Sequence, residues 1–319
     1  MSTTGAHVIV GAGQIGTHLA RILVERGHEV RTVARGEQSP MKGVTRLRGS
    51  IADADVARRA GDGAAVIYDC ANPPYDRWNA ELPPIFEGSV AAAKVSGARL
   101  VQLDNLYAFG RMGGAAMSPE GPFAPCSRKG ELRLRLQERL LSADARGECR
   151  VAIAKASDFV GPGVVNAHLG SRFFERAFAA KAGECFGDPS LAHAFTYAPD
   201  VASALATLGT ADGATGRIWH VPTAEAVSMR TWVDALGAAL EMKLRVEPVP
   251  GWVVKMAGLF VPMMRELAEM RYQWQEPYHV DDRAFREAFG AAPTPFETQV
   301  RETARWARET YGSRRAKAA

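Results

Sequence analysis

Residues 7–20 read His7-Val8-Ile9-Val10-Gly11-Ala12-Gly13-Gln14-Ile15-Gly16-Thr17-His18-Leu19-Ala20, and this segment decides the fold of the chain. Its first four residues are an apolar run typical of a short buried strand. The apolar residues at its end and just beyond recur at helical spacing. Between the two runs stand three glycines spaced G-x-G-x-x-G. The segment therefore predicts a strand, a tight turn and a helix.

Each glycine of this segment has a separate mechanical role. Gly11 permits the tight turn, Gly13 lets a diphosphate approach bare backbone, and Gly16 lets the helix pack close to the strand. The helix N-terminus then points N–H groups at the anion. A second strand at Glu29–Ala34, entered through Gly27, completes one βαβ unit. The pattern predicts a dinucleotide-binding site, and an ordinary glycine-rich turn is the alternative.

Strand and helix patterns alternate through the rest of the first half. The further strands are expected at Val44–Arg48, Ala64–Asp69, Arg99–Leu103 and Val151–Ala154. Helices are expected from Asp53 to about Ala60, within Tyr75–Ser96 with a break at Pro83-Pro84, and from about Arg128 to Arg146, after the long loop Asn105–Cys126. This alternation predicts an α/β fold with a doubly wound parallel sheet of the Rossmann type.

The second half is less regular. It is expected to hold helices around Ser171–Ala182, Pro199–Leu208 and Met229–Leu240, and a short strand at Arg217–Val221. The methionine-rich stretch Pro248–Tyr272 is typical of a core or lid helix. We predict a dinucleotide-binding domain of residues 1–155, to which 188–223 return, and a smaller C-terminal substrate lobe made of 156–187 and 224–319.

Composition excludes several classes of protein. The chain has 319 residues, 47% of them hydrophobic, and a net charge of only +4, which does not suggest nucleic acid as a partner. No apolar run reaches the ~18 residues that a membrane span requires. The four cysteines lie far apart without a C-x-x-C pair, which argues against a metal site or a disulfide framework. We expect a cytoplasmic protein with a small-molecule substrate and no nucleic-acid, membrane or metal partner.

Several segments in order resemble one known family. They are Gly49-Ser50-Ile51-Ala52-Asp53, Val66-Ile67-Tyr68-Asp69-Cys70-Ala71, Leu103-Asp104-Asn105-Leu106-Tyr107-Ala108-Phe109-Gly110, Ala156-Ser157-Asp158-Phe159-Val160-Gly161-Pro162-Gly163 and the closing segment from Asp281 to Trp306. Together with the glycine turn they resemble the extended short-chain dehydrogenase/reductase family, which contains nucleotide-sugar epimerases and dehydratases. The resemblance implies a nicotinamide cofactor. It also implies a homodimer paired through about Ile85–Ser96 and Gly130–Leu141, where Leu132, Leu136 and Leu140 form an apolar stripe. The alternative is that this stripe only packs on the chain's own sheet.

The chain departs from that family where chemistry is concerned. Val10 stands where the first glycine of the family's G-x-x-G-x-x-G would fall, and the family's catalytic serine position falls on Asn105. The family's Tyr-x-x-x-Lys is missing, because aligning Lys129 with the lysine puts Pro125 at the tyrosine, and a shift by one puts Cys126 there. The usual proton donor is therefore absent.

Three residues are candidates for catalysis. Tyr107 is the nearest phenol, and a lysine ammonium beside it would lower its pKa and make it a usable acid. Lys129 would hold the ribose hydroxyls and polarise that donor. Asn105 could bond a substrate carbonyl in place of the serine. The alternatives are an aromatic packing residue, a solvated helix residue and a turn residue bonded to its own backbone.

The cofactor candidates centre on the glycine turn and on Arg35. The end of the second predicted strand carries Arg35 and no acid, and a guanidinium suits a 2′-phosphate, so we favour NADP, with NAD possible. An exposed strand-end arginine is the alternative. The full set of cofactor candidates is Gly11, Gly13, Gln14, Ile15, Gly16, Arg35, Ser50, Ile51, Ala71 and Lys129.

Three functions from different classes remain open. The first is an NADP-dependent oxidoreductase that reduces a carbonyl or related small molecule, with Tyr107 or water as proton donor. The second is a nucleotide-sugar epimerase or dehydratase, as the family resemblance implies. The third is a non-catalytic nucleotide-binding module. Aromatic side chains that could wall a substrate pocket are Tyr75, Trp78, Trp252, Tyr272 and Trp274.

Overall fold

The structure is a computed structural model that describes residues 5–37 and 39–315. Its strands, in chain order, are β1 Ala6–Val10, β2 Val30–Ala34, β3 Val44–Arg48, β4 Ala64–Asp69, β5 Arg99–Asp104, β6 Ala116–Met117, β7 Arg150–Lys155, β8 Asp158–Val160, β9 Gly183–Cys185, β10 Ala192–His193, β11 Phe195–Tyr197, β12 Arg217–His220, β13 Val227–Ser228, β14 Val246–Pro248 and β15 His279–Val280.

Eleven α-helices and three short 3₁₀ turns form in the same described ranges. The helices are α1 Gly16–Glu25, α2 Ala54–Gly61, α3 Trp78–Ser96, α4 Arg128–Ala145, α5 Ser171–Phe178, α6 Ala198–Thr210, α7 Met229–Leu240, α8 Gly251–Ala257, α9 Pro262–Met270, α10 Arg283–Phe289 and α11 Phe296–Arg315. The 3₁₀ turns are Tyr75–Arg77, Tyr107–Phe109 and Arg271–Trp274.

One seven-stranded sheet forms the centre of the molecule. Its strands run in the order β12-β7-β5-β4-β1-β2-β3, and every neighbouring pair is parallel. The chain begins in the middle of the sheet and builds outward in both directions, which confirms the predicted doubly wound parallel sheet. The strand order reverses between β1 and β4, and in such sheets ligands bind in the crevice at the carboxyl ends beside that point.

Apolar side chains cover both faces of this sheet. On one face, side chains from α2, α3 and α4 pack on the strands, with Phe86 and Leu140 essentially inaccessible. On the other face, α1 and α6 form a second cluster that includes Leu19 and Leu205. A third cluster, built by α5, α7 and α11, lies in the second half of the chain.

The turn after β1 owes its shape to glycine. Gly11 has φ +88°, and a Cβ there would lie 2.8 Å from the backbone of Ala71. A Cβ on Gly16 would collide with the carbonyl oxygen of Gly11. A Cβ on Gly13 would meet no atom within 4 Å. Gly11 and Gly16 thus allow close packing, whereas Gly13 keeps open the space above the turn.

Helix α3 shows that the predicted break at Pro83-Pro84 is wrong. The helix runs without interruption from Trp78 to Ser96 and contains both prolines. Each proline removes one helical hydrogen bond, but both lie near the beginning of the helix. Leu82 and Phe86 are buried against the sheet on the same helix. This packing holds the helix despite the missing bonds.

The leucine stripe of α4 faces inward. Leu132, Leu136 and Leu140 all lie in the apolar cluster between α4 and the central sheet. The contacts thus support the alternative that this stripe packs on the chain's own sheet, as a helix of this fold must bury one apolar face there. A homodimer would have to use other surfaces of α3 and α4.

The second half contributes both to the sheet and to a separate cluster. Strand β12 forms the edge of the central sheet beside β7, and α6 packs with α1 on one face. Strands β8 and β11 pair with each other outside that sheet. The proposed division into a dinucleotide domain and a substrate lobe stays a prediction.

The methionine-rich stretch forms two short helices, α8 and α9. Met270 at the end of α9 is buried, but Met256 and Met263 are exposed. Of the two expectations, a core helix is thus wrong for most of this segment, and a lid stays a prediction. The segment instead forms a helical hairpin on the surface.

We predict that Gly16→Ala destabilises the protein, whereas Gly13→Ala does not. The methyl group at position 16 meets a backbone oxygen that cannot move aside, and such overpacking costs about 1–3 kcal/mol. The methyl group at position 13 enters open space. Thermal unfolding of the two variants without cofactor measures the difference, and equal melting temperatures would contradict the packing argument.

Candidate active site

The glycine turn and the ends of β4, β5 and β7 meet at one edge of the sheet. The Gly11 N–H donates to the carbonyl oxygen of Val33 at 2.9 Å, which fixes the turn to β2. Helix α1 begins at Gly16 after Ile15, whose side chain caps no N–H group. The first turn of α1 and the open space at Gly13 suit a diphosphate. These residues fit a dinucleotide, as the sequence predicts.

The side chains of Gln14 and Ile15 serve the protein itself. The Gln14 side-chain oxygen accepts hydrogen bonds from the backbone N–H groups of Val165 (3.1 Å) and Asn166 (3.2 Å). Ile15 is buried in the cluster beneath α1. The Gln14 side-chain oxygen is therefore engaged by the protein, and any contact of Ile15 with a cofactor falls to its backbone.

The candidates beyond β3 and β4 also shape their loops. The Ser50 hydroxyl accepts a hydrogen bond from the Ala52 N–H at 3.3 Å, and Ile51 is buried. The Ala71 N–H donates to the Asp69 carboxylate at 3.0 Å. These contacts hold both loops beside the glycine turn. Direct contact of Ser50, Ile51 and Ala71 with a cofactor stays a prediction.

Arg35 is not free of acidic neighbours. Its guanidinium donates to the Glu81 carboxylate at 2.8 Å, and Arg77 lies 3.6 Å from the other Glu81 oxygen. The Arg35 side chain remains 57% exposed. The end of this strand carries no acid in the sequence, and the structure supplies one from α3. The expectation of a guanidinium without a competing carboxylate is thus corrected.

A buried charge cluster lies under the site. The Lys155 ammonium donates to one Asp104 oxygen at 2.5 Å and to the Asn105 carbonyl at 2.9 Å. The Arg133 guanidinium donates to the other Asp104 oxygen and to the Asn72 side-chain oxygen, both at 3.1 Å. Burial lowers the pKa of Lys155, and the charge and hydrogen bond of Asp104 oppose that effect. The cluster fixes the chain just after β4, β5 and β7.

Asn105 acts first as a turn residue. Its side-chain oxygen accepts the backbone N–H of Tyr107 at 3.1 Å. Its carbonyl oxygen accepts the Lys155 ammonium. The alternative of a turn residue is therefore what the contacts support, and any role toward a substrate rests on the amide nitrogen.

Tyr107 is paired with a second phenol, Tyr75. The Tyr75 hydroxyl donates to the Tyr107 hydroxyl oxygen at 3.2 Å, and the Tyr107 ring stacks on Trp78 with 5.8 Å between ring centroids. Burial, and next the charge of Asp158, raise the pKa of Tyr107 to about 12. Tyr107 is therefore protonated at neutral pH. A close approach at Gly130, whose Cβ would lie 2.5 Å from the Tyr107 carbonyl, lets α4 pack on this turn.

The prediction that the Lys129 ammonium lowers the pKa of Tyr107 is wrong, because that pKa is raised. The Lys129 ammonium donates to the Tyr75 carbonyl oxygen at 2.6 Å and pairs with the Glu266 carboxylate at 2.7 Å. It lies 4.3 Å from the centroid of the Tyr75 ring. Only 5% of the side chain is exposed, so the alternative of a solvated helix residue is also wrong. Tyr75 contacts both residues, since its carbonyl oxygen accepts from Lys129 and its hydroxyl donates to Tyr107.

Sequence reasoning missed a carboxylate–imidazole pair at the same site. The His193 ring lies 2.8 Å from the Asp158 carboxylate and stacks between Trp274 and Tyr278 at 3.9 and 4.8 Å between centroids. Burial opposes ionisation of Asp158, but the hydrogen bond and charge of His193 outweigh it and hold the Asp158 pKa below its usual range. Asp158 lies in a segment that carried the family resemblance, but no spacing pointed to His193.

The aromatic candidates divide into two groups. Tyr75, Trp78, Tyr272 and Trp274 lie in or beside the cluster around Tyr107 and His193. Trp252 is 70% exposed on α8 and does not wall this site. Among the residues that the structure describes, no group of three or more His, Cys, Asp or Glu side chains is arranged to hold a metal.

The model of the NAD dependent epimerase/dehydratase family matches residues 7–221. No curated protein sequence matches the chain. The chain is similar to solved structures over nearly its whole length, at identities that show the fold alone.

Three of these structures illustrate the similarity. An epimerase from Methanothermobacter thermautotrophicus has a TM-score of 0.80 at 16% identity, covering 98% of this chain and 95% of that one. The UDP-glucuronic acid 4-epimerase from Bacillus cereus, in complex with UDP-glucuronic acid and NAD, has a TM-score of 0.78 at 16% identity, covering 96% and 100%. The dTDP-glucose 4,6-dehydratase from Bacillus anthracis, in complex with NAD, has a TM-score of 0.76 at 15% identity, covering 97% and 98%.

Proposed function

Since the chain belongs to the NAD dependent epimerase/dehydratase family, we propose that it is an NADP-dependent oxidoreductase that reduces a carbonyl or related small molecule. The family makes it an enzyme of the oxidoreductase type. The proposed reduction rests on Tyr107, which is protonated and whose hydroxyl oxygen accepts a hydrogen bond from the Tyr75 hydroxyl. A nicotinamide cofactor supplies the hydride for such a reduction.

Tyr107 is suited to give a proton rather than to take one. Because Tyr75 donates to the Tyr107 oxygen, the Tyr107 proton is available to a substrate oxygen. An alkoxide formed by reduction is a stronger base than a phenolate, so a phenol with a pKa of about 12 still protonates it. The Tyr75 hydroxyl stabilises the resulting Tyr107 phenolate until solvent restores the proton.

The raised pKa of Tyr107 favours reduction over the main alternative, a nucleotide-sugar epimerase or dehydratase. A nucleotide-sugar epimerase or dehydratase begins by removing a proton from a sugar hydroxyl, which requires a readily ionised base. The whole-length similarity to epimerases and a dehydratase favours this second function. Turnover screening with carbonyl compounds and with UDP- or dTDP-sugars decides between them. Cofactor binding without turnover of either class would support a non-catalytic binding module.

Arg35 supports NADP as the preferred cofactor, and Glu81 modulates that preference. One Arg35 N–H group is engaged by Glu81, but the side chain stays exposed at the end of β2. A 2′-phosphate bound there would be attracted by the guanidinium and repelled by the carboxylate. We therefore expect the protein to prefer NADP over NAD moderately rather than to use NADP exclusively.

We also propose that the chain forms a homodimer. With the leucine stripe buried, pairing would involve the exposed surfaces of α3 and α4, where charged residues such as Arg135 and Glu138 lie. We predict a dimeric mass by light scattering at micromolar concentration. A monomeric mass would contradict it.

We predict that Tyr107→Phe lowers turnover by roughly 10²–10⁴-fold, the usual range for a positioned proton donor. The phenylalanine keeps the stacking on Trp78, so NADPH affinity and melting temperature should hold. Tyr197→Phe is the matched control, because Tyr197 is a buried phenol that donates to Glu302 away from the site. Steady-state kinetics on a substrate found by the screen make the measurement. Full turnover in Tyr107→Phe would make Tyr107 a packing residue.

We also predict that Arg35→Ala loses mainly NADP(H) affinity and that Glu81→Gln gains it, each by about tenfold, the size expected for one charged hydrogen bond. NADH affinity should change little. Arg48→Ala is the control, because Arg48 is an exposed arginine at the end of the neighbouring strand. Titration of the wild type and the three variants with NADPH and NADH measures these affinities. Equal affinities in the wild type, or an unchanged preference in Arg35→Ala, would reject the NADP proposal.

A further inference from the structure

Exposed apolar side chains are concentrated on one surface hairpin. The described chain has eight large apolar side chains that are clearly exposed, and six of them lie between residues 252 and 263. They are Trp252, Met256, Leu259, Phe260, Val261 and Met263. Helices α8 and α9 and the turn between them thus form one apolar surface, which we call the hairpin tip. Such a concentration marks an interaction surface.

The hairpin is anchored on its other side. Val254 and Met270 are buried, and the Glu269 carboxylate accepts hydrogen bonds from the Arg128 guanidinium at 3.0 and 3.2 Å. Glu266 pairs with Lys129. The exposure of the hairpin tip therefore belongs to a docked element, with its polar and apolar sides fixed.

The charges around the hairpin tip are positive. Lys255 and Arg265 are exposed, and no acidic residue occurs from Val249 to Arg265. Glu266 and Glu269, which follow, are paired with cations of α4. An apolar face with tryptophan and phenylalanine, flanked by lysine and arginine, is the pattern of an element that lies in a lipid interface.

Against the expectation of no membrane partner, we propose that the hairpin tip docks the protein peripherally on a lipid bilayer that contains anionic lipids. Leu259 and Phe260, 69% and 83% exposed at the turn, enter the acyl boundary. Trp252 lies at the headgroup level, and Lys255 and Arg265 meet the anionic headgroups. Within residues 5–37 and 39–315, every helix is too short or too polar to span a bilayer. The docking is independent of the reaction proposed above.

Vesicle flotation of the full chain tests this proposal. We expect the wild type to float with vesicles of phosphatidylcholine and phosphatidylglycerol, and less with phosphatidylcholine alone. Leu259→Ser/Phe260→Ser should lower the partition coefficient by about tenfold or more, because it removes the inserted apolar area. Lys255→Gln/Arg265→Gln should reduce binding only to the anionic vesicles. Val95→Ser, which removes an exposed apolar side chain of α3, should float like the wild type.

Three outcomes would overturn the proposal. The wild type could fail to float with either vesicle, or the tip variant could float as well as the wild type. The wild type could also self-associate without lipid and lose that association in the tip variant by light scattering, in which case a second copy covers the tip. Melting temperatures confirm that the variants are folded. If the double variant melts early, the single Phe260→Ser variant carries the same test.

Discussion

The ion pair between Lys155 and Asp104 holds together the candidate active site at the ends of β4, β5 and β7. Both side chains are almost completely buried, and Arg133 occupies the second oxygen of the same carboxylate. Removing one partner of such a buried pair leaves an uncompensated charge and costs about 3–5 kcal/mol. The cluster joins the ends of β5 and β7 to α4 and, through Asn72, to the loop after β4. The geometry of Asn105 and Tyr107 follows from it, since Lys155 also holds the Asn105 carbonyl.

This arrangement sets the protonation of the site. Burial and the charge of Asp158 raise the pKa of Tyr107, and they outweigh the hydrogen bond from Tyr75 and the charge of Arg133, which lower it. Burial likewise raises the pKa of Tyr75 well above the ordinary value. Two neutral phenols joined by one hydrogen bond therefore lie beside Lys129, whose ammonium contacts the Tyr75 carbonyl oxygen. Such a pair can deliver a proton at neutral pH but is a poor base, and for this reason we propose reduction rather than proton abstraction.

Local periodicity was sufficient to predict the sheet, and contacts between distant segments account for what it missed. The strand and helix patterns and the close approach at Gly16 depend on neighbouring residues, so the sequence contains them directly. The pairs Arg35–Glu81 and Asp158–His193 join residues 46 and 35 positions apart on different elements. No spacing rule specifies them. The same limit applies to Leu132 and Phe260, because an apolar residue indicates burial without saying whether the partner is the protein's own core or something outside it.

Lys129 shows how one contact can redirect a residue that the family pattern keeps. The ammonium stays at the start of α4, but Glu266 neutralises it and the Tyr75 carbonyl and ring surround it. A lysine held in this way cannot touch Tyr107 without leaving three partners. We infer that its effect on chemistry passes through Tyr75, whose ring it positions and whose hydroxyl donates to Tyr107.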